Sequence, residues 1–360
     1  MKVSIRDLAR ESGVHHTTVS RALRNDSGVS QATREKLQKL AKKRGYTPDP
    51  MLSALMAHRK KSTPCYQATL GWITTNVTRD GWHIHEKVGH FAGARRRAAE
   101  LGYRIEEFWL REPGMTPRRA TQILVARNIR GLFFIPQPRS RVHLNLDWSR
   151  FSAITFSHSL SYPILNIVTC HHFRSMRLIM RKLKRLGYRR IGLVCASQVL
   201  EMSDRNWAAA YWAYQPQPYA APIPILAERK FSQTSFDKWF EEHRPDAVIA
   251  HDPVILRWIK ERGLRVPEDV GFVNPARAGG LDYFTAIDEN TEQIGATAVD
   301  VLIEMIHRGE RGVPPVPLCH LVEGTWVPGS TVRAMNLPAG TPEPPLPSAT
   351  KRKSVYTGAT

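Results

Sequence analysis

Residues 4–23 read Ser-Ile-Arg-Asp-Leu-Ala-Arg-Glu-Ser-Gly-Val-His-His-Thr-Thr-Val-Ser-Arg-Ala-Leu. Within this stretch, apolar side chains from Ile5 to Ala9 recur at helical spacing. Gly13 interrupts the pattern and can adopt the positive φ of a tight reversal. A second apolar series with the same period ends at Leu23. The segment therefore predicts a helix, a turn and a second helix.

A third helix is predicted over residues 31–43, because Ser30 supplies a cap before it and Gly45 a stop after it. Three short helices around one small core are typical of a helix-turn-helix domain, in which the second helix presents its exposed face to the major groove of DNA. The residues of the third helix expected to face inward are Ala32, Leu37, Leu40 and Ala41.

Basic charge is concentrated at the start of the chain. The whole sequence has 52 Lys and Arg against 32 Asp and Glu, a formal net charge of +20. Residues 1–61 alone contain 14 basic and 5 acidic side chains. An excess of this size favours a polyanionic partner, and nucleic acid is the first candidate.

The side chains between the core positions of the second helix are the candidates for contacting bases. Arg21 can pair bidentately with a guanine, His16 can donate to a purine, and Thr17 can offer its methyl group to a thymine. A three-helix bundle with a solvated basic face is the alternative, although mixed charges would serve solvation better than these side chains. The predicted base-reading residues are His16, Thr17, Ser20 and Arg21, and the predicted phosphate contacts are Thr18, Asn25 and Tyr46.

Composition places the chain among multidomain globular proteins. Its 360 residues suit two or three domains, and 42% apolar with 23% charged residues exclude wholesale disorder. No apolar run approaches the roughly 18 residues of a membrane span, and the charged start is unlike a secretory signal. The four cysteines are widely spaced, with no disulfide framework and no Cys-x-x-Cys motif, and fit a reducing cytoplasm.

From residue 68 onward, short apolar runs alternate with helical stretches, a pattern typical of an α/β fold with parallel sheets. Two doubly wound subdomains would leave a ligand site at the carboxyl ends of their strands. Strands are predicted over 68–74, 104–109, 131–135, 190–195, 247–250 and 270–273, and helices over 88–101, 117–127, 173–186, 207–214, 236–242, 255–262 and 291–308.

Several segments near the start resemble the headpiece of the lactose-repressor (LacI/GalR) family. They are residues 4–14 and 17–23, Val-Ser-Gln-Ala-Thr-Arg-Glu-Lys at 29–36, and Arg-Gly-Tyr-Thr-Pro at 44–48. The match runs without gaps from residue 3 to about 57. The resemblance implies a DNA-binding transcriptional regulator and gives His16, Thr17 and Arg21 the family's base-reading positions. The pair His15-His16 is unusual for the family.

Residues 48–65 resemble the family's hinge helix and linker. Pro48 and Pro50 end the third helix, yet apolar residues from Met51 to Met56 again follow helical spacing. About eight residues are too few for a helix that is stable alone, so the segment needs a partner to fold. In the family this helix pairs with its symmetry mate in the minor groove, and Leu55 takes the place of the leucine wedged between base pairs. Ordinary packing between domains is the alternative role for Leu55.

The rest of the chain resembles, more loosely, the family's regulatory domain, which is similar to periplasmic sugar-binding proteins. The matching segments are 185–194, 263–271, 287–298 and 328–331. The resemblance implies a headpiece at 1–47 and a domain for effector binding and dimerisation at 66–333. Its lobes are expected to hold 66–162 with 289–318, and 163–288 with 319–333. Residues 334–360 are rich in proline and are predicted to be disordered.

The resemblance also implies an effector site, but few of the family's residues carry over to it. This chain has Trp207 where the family commonly has arginine, and Asn274 to Ala276 where it has an aspartate. Asp252 is retained from an Asn-Asp pair. An aromatic ring beside a carboxylate suits a sugar, although Trp207 fits a core position equally well. The candidate effector-binding residues are Thr75, Asn76, Arg205, Trp207 and Asp252.

No constellation in the sequence points to catalysis or to a metal. Nucleophile elbows, phosphate-binding loops and dinucleotide motifs are missing from it. We therefore predict no catalytic residue, no metal and no cofactor. The histidine-rich groups without an established ligand spacing are His83, His85, Glu86 and His90, and the pair His171-His172, which has no cysteine or carboxylate arranged with it and is expected to face solvent.

Together these patterns predict a cytoplasmic transcriptional regulator, a repressor that binds a pseudo-palindromic operator as a homodimer. A small ligand in the cleft between the lobes, a sugar or related metabolite, is expected to modulate its affinity for double-stranded operator DNA. The main alternative is a sugar-binding or transport protein without a regulatory role, and an enzyme is a more distant one. The basic headpiece favours the regulator.

Overall fold

The structure is a computed structural model, and it describes residues 5–23, 28–44, 46, 68–83, 89–137, 139, 142–215, 222–277 and 283–335. Contacts divide the chain into two units. The first comprises the residues up to Thr169 together with Asn290–Val322, and the second comprises Cys170–Glu289 with the residues from Glu323 onward. Within the described ranges, no helix is both long enough and apolar enough to cross a membrane.

Three helices near the N-terminus pack around a core of their own, and we call residues 5–46 the headpiece. Leu8, Val19 and Leu37 are almost completely buried in this core. Contrary to prediction, Ala32 is exposed, and Val29 fills the core from just ahead of the third helix. The helices are α1 (Ile5–Ser12), α2 (His16–Leu23) and α3 (Gln31–Lys43).

The first unit contains a six-stranded sheet. Its strands are β1 (Ala68–Thr74), β2 (Tyr103–Trp109), β3 (Gly131–Phe134), β5 (Ser152–Thr155), β7 (Asn166–Cys170) and β12 (Cys319–Val322). They lie in the order β12-β7-β5-β3-β1-β2, and the pairings among β1, β2, β3, β5 and β7 are parallel. A separate two-stranded sheet pairs β4 (Val142–His143) with β6 (Leu160–Tyr162).

Two helices of the first unit cross with their backbones in close contact. A Cβ atom added to Gly93 would lie 1.9 Å from the carbonyl oxygen of Glu292, and one added to Gly295 would lie 2.1 Å from that of His90. Only glycine therefore fits at this crossing. The helices of the unit are α4 (His90–Glu100), α5 (Pro117–Ala126) and α11 (Thr291–Arg308), with 3-10 turns at Arg79–Trp82 and Trp148–Arg150.

The second unit contains a five-stranded sheet of β8 (Ile191–Val194), β9 (Ala247–Ala250), β10 (Gly271–Asn274), β11 (Thr285–Asp288) and β13 (Thr325–Val327). The strand order is β13-β11-β10-β9-β8, with β8 to β11 parallel and β13 antiparallel to β11. The predicted α/β class is confirmed. Its helices are α6 (His172–Arg185), α7 (Ser197–Met202), α8 (Asn206–Ala213), α9 (Gln233–His243) and α10 (Val254–Glu261).

The unit boundaries lie beyond the predicted lobe boundaries. Because β7 pairs with β5, the first unit continues to Thr169 rather than ending near residue 162. Because β12 lies in the same sheet, the last crossing follows Val322 rather than residue 318. Met335 donates its backbone N–H to the Leu186 carbonyl at 2.7 Å and packs against the core of the second unit, so the folded body extends past residue 333. Residues 336–360 lie outside the described residues.

Candidate nucleic-acid interface and candidate ligand site

The outer face of α2 carries the predicted base-reading residues. Val19, on the inner face, has no exposed surface. His16, Thr17 and Arg21 are exposed, and Ser20 is half-buried. The fold thus brings all four to one helix, on the side where a helix-turn-helix domain presents its recognition side chains.

His15 caps the N-terminus of α2, a role that the sequence analysis missed. Its Nδ1 lies 2.8 Å from the hydroxyl oxygen of Thr17 and 3.5 Å from the Thr17 backbone nitrogen. With the ring proton on Nε2, Nδ1 accepts from both groups. Histidine is not among the preferred capping residues, so no sequence signal pointed to it. The Thr17 hydroxyl is engaged in this contact, whereas the Thr17 methyl group takes no part in it.

The predicted phosphate contacts are only partly covered by the described residues. Thr18 and Tyr46 are half-buried. The backbone N–H of Tyr46 donates to the Ala41 carbonyl at 2.9 Å, and the ring packs against the headpiece core. Asn25 and the hinge residue Leu55 lie outside the described residues.

Trp207 is the second residue of α8 and is 3% exposed. Its ring makes an edge contact with His172, at 5.6 Å between centroids, and lies 6.0 Å from the ring of His251. The indole Nε1 is buried and has no hydrogen-bond partner among the described residues. The ring therefore belongs to the core of the second unit, and the role of Trp207 in ligand binding stays a prediction.

Arg205 lies between the helices α7 and α8, and Asp252 lies between the strand β9 and the helix α10. Arg205 is exposed and has a φ of 54°, immediately before α8. Asp252 is exposed as well, and its Oδ1 accepts the Val254 backbone N–H at 2.9 Å. The carboxylate therefore also holds the first residue of α10, a structural role that the sequence did not reveal.

Cys170, His172 and Glu289 form a cluster that corrects the prediction for His171-His172. A thiol and a carboxylate do accompany His172, and its side chain is 13% exposed rather than solvent-facing. Burial, and secondly the charge of Glu289, raise the pKa of the Cys170 thiol. No local pattern indicated this cluster, because Glu289 is remote along the chain and is brought close only by the fold. Of the other histidine-rich group, His90 is buried against Phe156, whereas His85 and Glu86 lie outside the described residues.

Thr75 and Asn76 belong to the first unit, so the structure describes them apart from the other candidates. The Thr75 hydroxyl donates to the side-chain carbonyl of Gln137, a buried residue that the sequence analysis missed. Asn76 accepts from Thr74 Oγ1 at 2.9 Å through Oδ1. A cavity of about 420 Å³ opens beside Thr75 in this unit, and its basic lining residues are Arg111, Arg139 and His143.

Family models match both parts of the chain. The model for bacterial regulatory proteins of the lacI family matches residues 4–49, and a periplasmic binding protein-like domain matches residues 180–332. This chain belongs to the lacI family of bacterial regulatory proteins. As a lacI-family protein it is a DNA-binding transcriptional regulator, and the first match covers all three headpiece helices.

Curated relatives extend over most of this lacI-family chain. The lactose operon repressor of Escherichia coli (strain K12) is 25% identical over 322 residues, which cover 84% of each protein. The transcriptional repressor PurR of Haemophilus influenzae (strain PittEE) is 22% identical over 329 residues, covering 86% of this chain and 93% of PurR.

Two solved structures share the fold of this chain. The lac repressor dimer bound to operator and the anti-inducer ONPF aligns with a TM-score of 0.54 and 22% identity, over 93% of this chain and 100% of that one. A complex of the regulator CelR with cellobiose aligns with a TM-score of 0.54 and 19% identity, over 92% of this chain and 100% of that one.

Proposed function

We propose that this protein is a transcriptional repressor that binds a pseudo-palindromic operator as a homodimer, with its operator affinity modulated by a small ligand. One observation carries the proposal. The outer face of α2 exposes His16, Thr17 and Arg21, on a headpiece whose sequence matches the lacI family. A single headpiece reads only a half-site, so two copies are needed for a symmetric operator.

Base reading falls to the outer face of α2. The Arg21 guanidinium is matched to the O6 and N7 acceptors of guanine, and His16 can donate to a purine acceptor. Thr17 offers its methyl group to thymine, since its hydroxyl is engaged by His15. Ser20 is the fourth residue of α2 that we assign to base contact. Thr18, Asn25 and Tyr46 contact phosphates, which fix the register without specifying sequence, and Leu55 wedges the minor groove.

The ligand is a sugar or related metabolite, and each unit contains candidate binding residues. Thr75 and Asn76 supply polar groups from the first unit, and Arg205, Trp207 and Asp252 from the second. An aromatic ring with a carboxylate suits a sugar, and the Trp207 N–H, which has no partner among the described residues, adds a donor. Arg111, Arg139 and His143 beside Thr75 favour a ligand that also carries an anionic group. Calorimetry with neutral sugars and their phosphorylated forms tests this choice.

Ligand binding and operator binding are linked by a coupling free energy, which is typically about 1–3 kcal/mol. A ligand that prefers one lobe arrangement shifts the population of the headpiece arrangement that fits the operator. We assign no catalytic activity, and we place the protein in the cytoplasm, where the operator is. A sugar-binding protein without a regulatory role is the rival, and it would have no use for the headpiece.

Selection from genomic DNA tests the proposal. Full-length protein is incubated with sheared DNA of the source organism, and the bound fragments are sequenced. We expect one pseudo-palindromic motif to be enriched. The Arg21→Ala variant should still retain DNA at low salt but lose the enrichment, because nonspecific phosphate binding does not need a base contact. Recovery of random fragments by the unmodified protein would contradict the proposal.

A further inference from the structure

Three kinds of metal-ligating side chain meet in the second unit. Cys170 ends β7, His172 begins α6, and Glu289 directly follows β11. One ligand atom from each lies within 4.8 Å of the other two. A thiol, an imidazole and a carboxylate at such distances form the set that tetrahedral zinc sites use.

The three side chains of the cluster lie within contact distance of one another. His172 Nδ1 lies 3.4 Å from Glu289 Oε1, yet this buried nitrogen makes no hydrogen bond among the described residues. The Cys170 sulfur lies 3.4 Å from Ser175 Oγ, which orients the thiol from the first turn of α6. With its ring proton on Nε2, His172 would therefore offer the lone pair of Nδ1 to an ion.

The cluster is enclosed but can be reached. Cys170 is 2% exposed, whereas the side chains of His172 and Glu289 are 13% and 17% exposed. An ion can therefore enter beside the imidazole and the carboxylate and meet the sulfur from that side. Cys170 and His172 belong to a strand and a helix, and Glu289 directly follows a strand, so regular elements hold or adjoin all three ligands.

A second observation marks the same place. The indole Nε1 of Trp207, on a side chain 3% exposed, lacks a hydrogen-bond partner among the described residues, and its ring lies 5.6 Å from that of His172. An unsatisfied buried N–H is costly unless something accepts from it. A water molecule or carboxylate on an ion held by three side chains would supply that acceptor.

We propose that Cys170, His172 and Glu289 bind a transition-metal ion of the Zn²⁺ class. The thiolate and imidazole favour Zn²⁺ or Co²⁺ over Ca²⁺ and Mg²⁺, which prefer oxygen ligands. Three protein ligands leave one position open for water or an exogenous donor. On binding, the sulfur–metal bond replaces the S–H bond, and the proton leaves to solvent without change of oxidation state. The inference goes beyond the regulatory function and does not depend on it.

The test uses full-length protein stripped with a chelator and titrated with Co²⁺, then with Zn²⁺. We expect one Co²⁺ per chain, with a thiolate-to-cobalt charge-transfer band in the near ultraviolet that Zn²⁺ abolishes by displacement. The Cys170→Ser variant should lose the band, and His172→Ala and Glu289→Gln should each weaken Co²⁺ binding by at least about tenfold.

Two other cysteines provide matched controls. Cys195 is buried in the second unit, and Cys319 is exposed in the first. In the described part of the chain, neither cysteine belongs to a group of metal-ligating residues. Cys195→Ser and Cys319→Ser should keep the band. Circular dichroism of each variant separates loss of a ligand from loss of the fold. A band that survives Cys170→Ser in a folded protein, or no Co²⁺ binding by the unmodified protein, would overturn the site, while operator selection would be unaffected.

Discussion

The imidazole of His15 and the hydroxyl of Thr17 lie 2.8 Å apart, from Nδ1 to Oγ1, at the start of the helix that carries the base-reading residues. His15 also approaches the Thr17 backbone nitrogen at 3.5 Å, so one ring orders the first turn of α2. The two histidines of this unusual pair thus have different roles. His15 shapes the helix end, and His16 is left exposed beside it for contact.

His15→Ala should therefore destabilise the headpiece. Loss of an N-terminal cap typically costs about 0.5–2 kcal/mol, and this cap is weak because the contact to the backbone nitrogen is long. Thermal unfolding followed by circular dichroism measures the change. His16→Ala is the matched control and should leave the unfolding temperature unaltered while weakening operator binding. Equal stability losses in both variants would contradict the division of roles.

Arg21→Ala should lose about 1–3 kcal/mol of operator binding and keep its affinity for random duplex, because a bidentate base contact carries discrimination. Lys39 is an exposed cation on α3 and offers a control of equal charge. Lys39→Ala should not alter the preference for operator over random DNA. Fluorescence anisotropy on both duplexes measures the ratio. An equal loss of affinity for the operator and the random duplex in the Arg21→Ala variant would identify Arg21 as a phosphate contact.

Asp252 has two roles that two substitutions can separate. Asp252→Asn keeps an oxygen that can accept the Val254 N–H but removes the charge, so it should weaken ligand binding by about 1.5–3 kcal/mol without loss of stability. Asp252→Ala should add a loss of stability. Calorimetry with the ligand identified from the sugar panel, together with thermal unfolding, distinguishes the two effects. Unchanged ligand affinity in Asp252→Asn would remove this residue from the site.

Gly93→Ala should be strongly destabilising. The added Cβ would lie 1.9 Å from the Glu292 carbonyl oxygen, and backbone cannot move aside as a side-chain tip can. Overpacking typically costs about 1–3 kcal/mol, and a backbone clash belongs at the upper end. Urea unfolding measures the loss. Ala99→Ser, at an exposed position of the same helix, should change the midpoint little.

Where local signals are strong, the sequence was a good guide to the elements of this fold. The strand Ala68–Thr74 and the helix Thr291–Arg308 have the bounds that their apolar patterns predicted. The strands Ser152–Thr155 and Asn166–Cys170 were missed, because Ser, Thr and Asn weaken the apolar pattern. Their polar groups are satisfied inside the unit, as when Thr155 Oγ1 donates to the Phe134 carbonyl at 3.2 Å. Such partners cannot be read from the sequence.

By itself, the sequence determined the headpiece, the α/β character of the body and the candidate reading face of α2, because each depends on periodicity and on neighbours a few residues apart. Only the tertiary structure decided that Cys170, His172 and Glu289 converge, and that Trp207 is buried with no partner for its N–H in the described part of the chain. Those relations join residues far apart in the chain. They arise where the fold brings the end of β7 and the start of α6 beside the residue that follows β11, and no local pattern of side chains records which residues will meet there.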